Sequence, residues 1–379
     1  MARVLVLGAG FGGVAAATRV RSLLDPSHEV VLVDRGPDFS MGLRKTWAVV
    51  GSRPLEEGRR ALASLRDRGI DVRTATVEAV DPSGRRALLG GAWLAADAIV
   101  VALGADQAPD AVPGLAEHGI NVWDRANAER ARDALASLDR GRLLVGVFGT
   151  PYACPPGPFE LALLAKDALD ARGAEVSVEV FGPMPIALPV VGSVESAKVE
   201  ALLDAAGISF HRGQPATSVD AGVVHLADGR DLAFDLLLAV PRHRCPQVLV
   251  DAGLAQPGGW VGVDPRTLAT PFPGVYAVGD STAITLAHGL PLPKAGLFAE
   301  AEGYAVAERI AAELTGRAPT ATFDGTGVCF AETGHGEAVE IRAHFYADAP
   351  GADIVGPSAD AAVGKAAFET DRLTAWFGS

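Results

Sequence analysis

Near the start of the chain lies a glycine-rich motif, Gly8-Ala9-Gly10-Phe11-Gly12-Gly13, that constrains the fold more than any other feature. The apolar run of residues 3–7 precedes it and is typical of a buried strand, and small residues that favour a closely packed helix follow it. A second apolar run, residues 30–33, ends at Asp34, about 20 residues beyond the motif, where a carboxylate binds ribose hydroxyls in dinucleotide-binding folds. The pattern predicts a strand–helix–strand unit that binds a dinucleotide, with Asp34 and the adjacent Arg35 at the ribose.

The spaced glycines of this motif have distinct roles in such a unit. Gly8 allows the tight turn, Gly10 lets a pyrophosphate approach the backbone, and Gly13 permits close packing of helix and strand. The helix that follows presents free N–H groups and the positive end of its dipole to the phosphates. We therefore expect Gly8, Gly10 and Gly13 to belong to the cofactor site.

A second unit has the same expected order of elements but lacks the phosphate loop. Residues 143–148 and 175–181 are expected to be strands and residues 159–172 a helix, whereas the loop at residues 149–158 contains four prolines and Cys154. Proline has no amide donor, so this loop is poorly suited to hold a phosphate. Binding of NAD(P)H in the second unit is therefore disfavoured.

Cys154 lies in this loop, just before the expected helix. A thiolate near a helix N-terminus is stabilised by the helix dipole, so we expect the pKa of this thiol to fall and its nucleophilicity to rise. The alternative is a buried, small apolar residue, which is the commoner role of a lone cysteine. The loop position and the missing nucleotide motif favour the reactive thiol.

Two later segments resemble the further FAD signatures of the pyridine nucleotide-disulfide oxidoreductase superfamily. Residues 98–105 form an apolar run that ends in a small-residue turn at Gly104, and residues 275–280 form a run that ends in Gly279-Asp280. The resemblance implies that Gly104, Gly279 and Asp280 bind FAD, with the Asp280 carboxylate at the ribityl and phosphate region.

Lys294 and Ala295 immediately precede a long expected helix, residues 297–314. The positive N-terminus of this helix is expected to stabilise negative charge on a reduced flavin ring, with Lys294 reinforcing it. A solvated lysine at a loop–helix junction is the alternative for Lys294.

Three segments resemble the flavoprotein subunits of flavocytochrome c sulfide dehydrogenases and, more loosely, sulfide:quinone oxidoreductases. They are the cysteine loop, the segment before the long helix and a C-terminal stretch, at residues 151–160, 293–296 and 324–332. The resemblance implies that Cys154 and Cys329 form a redox-active pair over the flavin of an enzyme that oxidises sulfide or a low-molecular thiol. It also implies FAD as the cofactor and a quinone or a small electron-carrier protein as the acceptor.

The chain departs from these families at some positions. Residues 39–42 contain no cysteine where the flavocytochrome subunits tether their flavin, so we expect non-covalent FAD. Cys245 has no counterpart in the pair and is interpreted as structural. The segment at residues 361–377 has a modest apolar face, so peripheral membrane contact is not supported. Two alternatives stay open: an NAD(P)H-dependent flavin reductase resembling type II NADH dehydrogenase, and a non-catalytic flavoprotein subunit of an electron-transfer complex.

Composition narrows the functional classes further. The net charge of −13 disfavours nucleic acid as a partner, because phosphate contacts need a basic surface. Three cysteines are too few for a disulfide-stapled secreted scaffold. No apolar run approaches the roughly 20 residues of a membrane-spanning helix, and no signal-peptide pattern precedes the first strand. We expect a cytoplasmic protein without a metal centre; the oligomeric state stays open.

The predicted fold class is α/β, with two Rossmann-like dinucleotide-binding domains and a small C-terminal α+β domain. Residues 1–108 and 245–316 are expected to form the FAD-binding domain, which the nucleotide-like domain at residues 109–244 interrupts. Residues 317–379 are expected to form the C-terminal domain, which brings Cys329 to the flavin.

Overall fold

Apolar runs form buried parallel strands in both halves of the computed structural model, which describes residues 1–378. Two five-stranded sheets and one three-stranded sheet organise the molecule. Their strands are, in chain order, Arg3–Leu7, Glu29–Asp34, Asp71–Thr74, Ala98–Val101, Ile120–Asn121, Arg140–Val147, Glu175–Phe181, Ser209–His211, Leu236–Val240, Val275–Ala277, Thr326–Gly334, Glu337–His344 and Ala352–Ser358.

The helices are α1 (Phe11–Leu23), α2 (Arg44–Val49), α3 (Leu115–His118), α4 (Ala128–Ala136), α5 (Gly157–Ala171), α6 (Ser193–Ala205), α7 (Gln247–Asp251), α8 (Gly296–Leu314) and α9 (Ala359–Phe377). Short strands form smaller antiparallel sheets at Val77–Asp81, Arg86–Leu89 and Ala92–Ala95, at Ala216–Asp220, Val223–Leu226 and Asp231–Ala233, at Asp38–Ser40 and Arg59–Ala61, and at Asp106–Gln107 and His243–Arg244. A parallel pair joins Val261–Gly262 and Thr282–Ala283. Among residues 1–378, no helix combines the length and the apolar character that a membrane crossing requires.

The first sheet contains strands from both ends of the expected FAD-binding domain. Its order is Val275–Ala277, Ala98–Val101, Arg3–Leu7, Glu29–Asp34, Asp71–Thr74, and all its pairings are parallel. Helices α1 and α8 lie side by side, and a Cβ on Gly12 would come within 2.9 Å of the Ala299 carbonyl oxygen. This close approach brings the N-termini of both helices to the carboxyl edge of the sheet.

The second sheet is also fully parallel, in the order Ile120–Asn121, Leu236–Val240, Arg140–Val147, Glu175–Phe181, Ser209–His211. Leu236–Val240 and the second half of Arg140–Val147 are continuous apolar runs, as expected for strands buried on both faces, whereas Glu175–Phe181 alternates polar and apolar residues. The predicted α/β class with two Rossmann-like sheets is confirmed.

The third sheet, Thr326–Gly334, Glu337–His344 and Ala352–Ser358, is antiparallel and packs against α9 and α5. The Ser358 side chain caps α9 by accepting a hydrogen bond from the Ala361 N–H, at 3.2 Å. At the other end of α9, the Trp376 ring lies 5.5 Å from the rings of Phe11 and Phe39, measured between centroids. The C-terminal helix therefore returns to the glycine-rich loop near the start of the chain.

Candidate functional site

The N-termini of α1, α5 and α8 open onto one cavity of about 310 Å³. Helix α2, the strand Thr326–Gly334 and α9 complete its wall. The cavity therefore lies where the two parallel sheets and the C-terminal sheet meet, and three helix N-termini face it.

Most of the predicted site residues line this cavity. They are Gly10, Gly104, Cys154, Gly279, Asp280, Lys294, Ala295 and Cys329. The structure thus brings Cys154, in the loop before α5, and Cys329, on the C-terminal sheet, into one cavity wall. Gly8, Gly13, Asp34 and Arg35 do not line it.

Gly8 and Gly13 shape the loop rather than the cavity. A Cβ on Gly13 would come within 3.0 Å of the Gly8 carbonyl oxygen, and one on Gly8, whose φ is +101°, would also come within 3.0 Å of the Ala102 carbonyl oxygen. Gly10 differs, because a Cβ there would meet nothing within 4 Å. The open side of Gly10 faces the cavity, so the loop fits the close approach of a dinucleotide phosphate.

Asp34 holds this loop in place. Its carboxylate accepts hydrogen bonds from the N–H of Ala9, at 2.7 Å, and of Gly36, at 2.8 Å. Arg35, the next residue, is exposed. Asp34 therefore lies beside the glycine loop at the strand end, where the sequence predicts a ribose partner.

Lys294 is buried beside the N-terminus of α8 and binds the main chain of Asp280. The Lys294 ammonium donates to the carbonyl oxygens of Asp280, at 2.6 Å, and Thr282, at 3.2 Å, and lies 3.4 Å from the Trp260 ring centroid. Burial lowers the pKa of Lys294 to about 8, against the attraction of Asp280. The solvated-lysine alternative is wrong, because Lys294 is buried and ties the Gly279-Asp280 turn to the helix start.

The Cys154 loop is held from both sides. The Cys154 N–H donates to the Lys294 carbonyl oxygen at 2.7 Å, and the Trp123 indole N–H donates to the Ala153 carbonyl oxygen at 2.7 Å. Cys154 itself has a φ of +56°, in the left-handed region that non-glycine residues seldom occupy. Strained backbone of this kind clusters at functional sites, since the surrounding contacts must maintain it.

The predicted fall in the pKa of the Cys154 thiol is wrong. Burial raises this pKa to about 12, and the negative charges of Cys329 and Glu160 add to the effect. Burial also raises the pKa of Cys329, to about 11. Cys154 is exposed to the cavity, but the protein atoms that enclose the cavity disfavour the charged thiolate. Both cysteines are free thiols in this structure.

A buried ion network forms the wall beside the cysteines. The Lys365 ammonium on α9 donates to Glu160 at 2.7 Å and Glu332 at 3.2 Å, and its side chain is only 3% exposed. The Thr46 hydroxyl donates to Glu160 at 2.6 Å, and the Trp47 indole N–H donates to Glu332. Burial opposes the charge on Lys365, but the two carboxylates outweigh burial and raise its pKa.

A second buried pair anchors the same helix nearby. Arg44 on α2 binds Glu369 on α9 through two hydrogen bonds, at 2.5 and 2.8 Å. Together the pairs couple α2, α5 and the C-terminal sheet to α9.

Sequence reasoning missed Lys45, Trp123, Glu160 and Lys365, all of which line the cavity. One feature of the sequence, the scarcity of lysine, could have indicated some of these residues. The chain has 33 basic Lys and Arg residues, of which only five are lysine, and three of those five, Lys45, Lys294 and Lys365, line this one cavity.

Cys245 and His243 have structural surroundings. Cys245 packs in an apolar cluster beneath the first sheet, away from the other two cysteines. His243 is buried, and its Nδ1 lies 2.9 Å from the Pro241 carbonyl oxygen. Burial lowers the pKa of His243 to about 4, so its ring is neutral at physiological pH.

We expect Trp123→Phe to loosen the Cys154 loop, because the Ala153 carbonyl oxygen loses its indole donor. The free energy of unfolding should fall by about 1 kcal/mol, and amide hydrogen exchange at Cys154 and Gly157 should accelerate. Trp93→Phe is the control, since Trp93 is 45% exposed. Equal exchange in the two variants would contradict the role of Trp123.

Comparisons with known proteins agree with this geometry. The model of the pyridine nucleotide-disulphide oxidoreductase family matches residues 2–290. The sulfide-quinone reductase of Aquifex aeolicus is 24% identical over 376 residues, which cover 91% of this chain and 83% of that protein. An NADH dehydrogenase-like protein of Mycobacterium tuberculosis is 28% identical over 302 residues, 75% of this chain and 73% of that one.

The fold comparison extends over the whole chain. The X-ray structure of the Aquifex aeolicus sulfide:quinone oxidoreductase superposes with a TM-score of 0.91 at 22% identity, covering 100% of this chain and 92% of that one. The family's cofactor fits the cavity at the open Gly10 loop, the Gly279-Asp280 turn and the start of α8. The chain therefore belongs to the pyridine nucleotide-disulphide oxidoreductase family and is a flavin-dependent oxidoreductase whose cofactor is FAD.

Proposed function

We propose that this protein oxidises sulfide or a low-molecular thiol at a redox-active pair formed by Cys154 and Cys329, and passes the electrons through FAD to a quinone or a small electron-carrier protein. The observation that carries the proposal is that both cysteines line the same cavity as Gly10, Gly279 and Asp280, which the sequence predicts to bind FAD. The thiols also interact electrostatically, since a charge on Cys329 raises the pKa of Cys154.

The proposed chemistry is thiol–disulfide exchange. In the oxidised protein, HS⁻ attacks one sulfur of a Cys154–Cys329 disulfide; that bond breaks, a persulfide forms on one cysteine, and the other cysteine leaves as a thiolate. Bound FAD supplies a two-electron acceptor next to the pair. Lys365 supports the thiolate form of both cysteines, because its positive charge lowers both pKa values.

The second parallel sheet supports sulfur chemistry over hydride transfer from NAD(P)H. The loop that follows its strand Arg140–Val147 contains four prolines, which cannot donate a hydrogen bond to a phosphate.

NADH oxidation is the second candidate function. It is favoured by the likeness to the mycobacterial protein, which is described as NADH dehydrogenase-like. Under this alternative the cysteines are not needed for flavin reduction, so a cysteine variant separates the two functions.

The test is an anaerobic titration of the purified, FAD-loaded protein with sulfide, a small thiol and NADH in separate arms, followed by flavin absorbance. Sulfide or the thiol should bleach the flavin, and Cys154→Ser should slow this by at least about a hundredfold. Cys245→Ser is the matched control and should behave as the parent, because Cys245 lies outside the cavity. Bleaching by NADH alone, or unchanged bleaching by sulfide in Cys154→Ser, would overturn the proposal.

The same preparation identifies the acceptor. Reduced protein is mixed with a water-soluble short-chain quinone or with cytochrome c, and the rate of flavin reoxidation is measured. Fast reoxidation by one of them supports that acceptor class, and slow reoxidation by both contradicts the proposed acceptors.

A further inference from the structure

Lys45 is a cation in the cavity wall without a carboxylate partner. It lies on α2 and is half-buried, and among residues 1–378 no carboxylate oxygen lies within 4.0 Å of its ammonium nitrogen. The nitrogen instead donates to the Trp123 carbonyl oxygen at 3.2 Å and lies 5.6 Å from the centroid of the Trp123 ring. Of the other two lysines of the cavity, Lys365 already binds two carboxylates and Lys294 binds two carbonyl oxygens, whereas Lys45 binds one carbonyl oxygen.

Trp123 connects Lys45 to the Cys154 loop. Its indole N–H binds the Ala153 carbonyl oxygen at 2.7 Å. The indole edge and the Cys154 sulfur both border Gly157, since a Cβ built there would lie 2.8 Å from Trp123 Cζ2 and 3.3 Å from Cys154 Sγ. Lys45 and the Cys154 thiol therefore face the same cavity around one indole ring.

Among the charged groups that surround Lys45, the Cys154 thiolate has the largest effect on the pKa of this lysine. Burial lowers the pKa of Lys45, and the Cys154 thiolate is the strongest opposing influence. Asp280 and Asp124 act in the same direction with smaller effects, and Arg125 opposes them.

The charged groups that act on Cys154 come from four elements: the C-terminal sheet, α5, α2 and α9. Cys329 on the C-terminal sheet and Glu160 on α5 raise the pKa of Cys154. Lys45 and Lys365 lower it, with Lys45 the stronger. Since Lys365 is bound to Glu160 and Glu332, Lys45 is the cation available to a thiolate at Cys154.

We propose that Lys45 is the counter-ion of Cys154: the Cys154 thiol gives its proton to solvent water, and the Lys45 ammonium, which keeps its own protons, stabilises the thiolate. One S–H bond breaks, the proton goes to water, and no electron leaves the sulfur. The proposal rests on the proposed function, because a thiolate forms on one cysteine of the pair when sulfide opens the disulfide. Arginine also keeps a positive charge, so it is expected to replace lysine at this position.

The test measures ionisation of Cys154 directly. FAD-loaded Cys329→Ser protein is alkylated with iodoacetamide across a pH series, and modified Cys154 is quantified by mass spectrometry. Adding Lys45→Gln keeps a hydrogen-bond donor for the Trp123 carbonyl but removes the amine. We expect the alkylation rate at pH 7 to fall at least about tenfold and its pH midpoint to rise by about one unit or more.

Two further variants exclude a merely structural effect. Lys45→Arg keeps a positive charge and should alkylate within about threefold of the Cys329→Ser parent. Lys166→Gln is the matched control, because Lys166 lies outside the cavity on α5 and should leave the pH profile unchanged. A Lys45→Gln profile that overlays the parent, or a Lys45→Arg rate as slow as that of Lys45→Gln, would overturn the proposal.

This readout is independent of turnover. If alkylation depends on Lys45 while sulfide fails to bleach the flavin, the counter-ion partnership stands and the proposed function fails. If sulfide bleaches the flavin while alkylation ignores Lys45, the proposed function stands and the partnership fails.

Discussion

Gly13→Ala is expected to destabilise the amino-terminal unit by about 3 kcal/mol or more, because overpacking against rigid backbone cannot relax through side-chain movement. The new Cβ would come within 3.0 Å of both the carbonyl oxygen and the carbonyl carbon of Gly8. Either α1 must move away from the first sheet or the turn at Gly8 must open. Urea unfolding of the variant, compared with the parent, measures the loss.

Gly10→Ala is the matched control for this prediction. Gly10 has an extended backbone, with a φ of −77°, and a Cβ there meets nothing within 4 Å. We expect the protein to fold with nearly parental stability but to bind FAD at least about tenfold more weakly, because the methyl group would project where the cofactor approaches. Parental stability of Gly13→Ala, or parental FAD affinity of Gly10→Ala, would contradict the separate roles assigned to the two glycines.

Lys365→Met is expected to lower the free energy of unfolding by about 3–5 kcal/mol, because it leaves buried carboxylates without their cation. Lys365 is 3% exposed and binds Glu160, 5% exposed, as well as Glu332. Burial of an unpaired carboxylate costs more than the lost attraction alone. Chemical denaturation of FAD-loaded protein measures the change.

Lys166→Met is the control for this prediction. Lys166 forms an i,i+4 pair with Asp170 on the outer face of α5, where the Asp170 side chain is 53% exposed, so its loss should cost about 0.5 kcal/mol or less. The double variant Lys365→Met with Glu160→Gln should recover part of the lost stability, since the amide removes a buried negative charge. Equal effects of Lys365→Met and Lys166→Met would show that the network contributes little.

The nucleotide-binding part of the fold was predictable because its signals are local. The first 34 residues contain the glycine motif, the apolar runs on either side of it and the acid at the strand end. Each of these features bears directly on the conformation of the backbone around it. Even the long helix α8 was expected to end at Leu314, as the structure has it. The expected domain boundaries stay predictions.

The cavity wall was only partly predictable because it is assembled from distant segments. The periodicity of the sequence does not predict that Cys329 lies near Cys154, and only the family resemblance indicated that the two cysteines meet. Lys45 and Lys365 belong to no sequence motif, and they reach the same cavity only because of how α2 and α9 pack. The pKa of Cys154 was predicted in the wrong direction because the helix dipole was considered without the burial and negative neighbours that the tertiary structure adds.

The wall formed by α9 has a consequence for biosynthesis. Phe11, close to the first strand, and Phe368, on α9, line the same cavity, and Lys365 and Glu369 lock that helix into place. A ribosome-bound nascent chain that already contains the glycine loop still lacks this side of the pocket. We therefore expect stable retention of the flavin to begin only after α9 has been synthesised and has docked against the rest of the cavity wall.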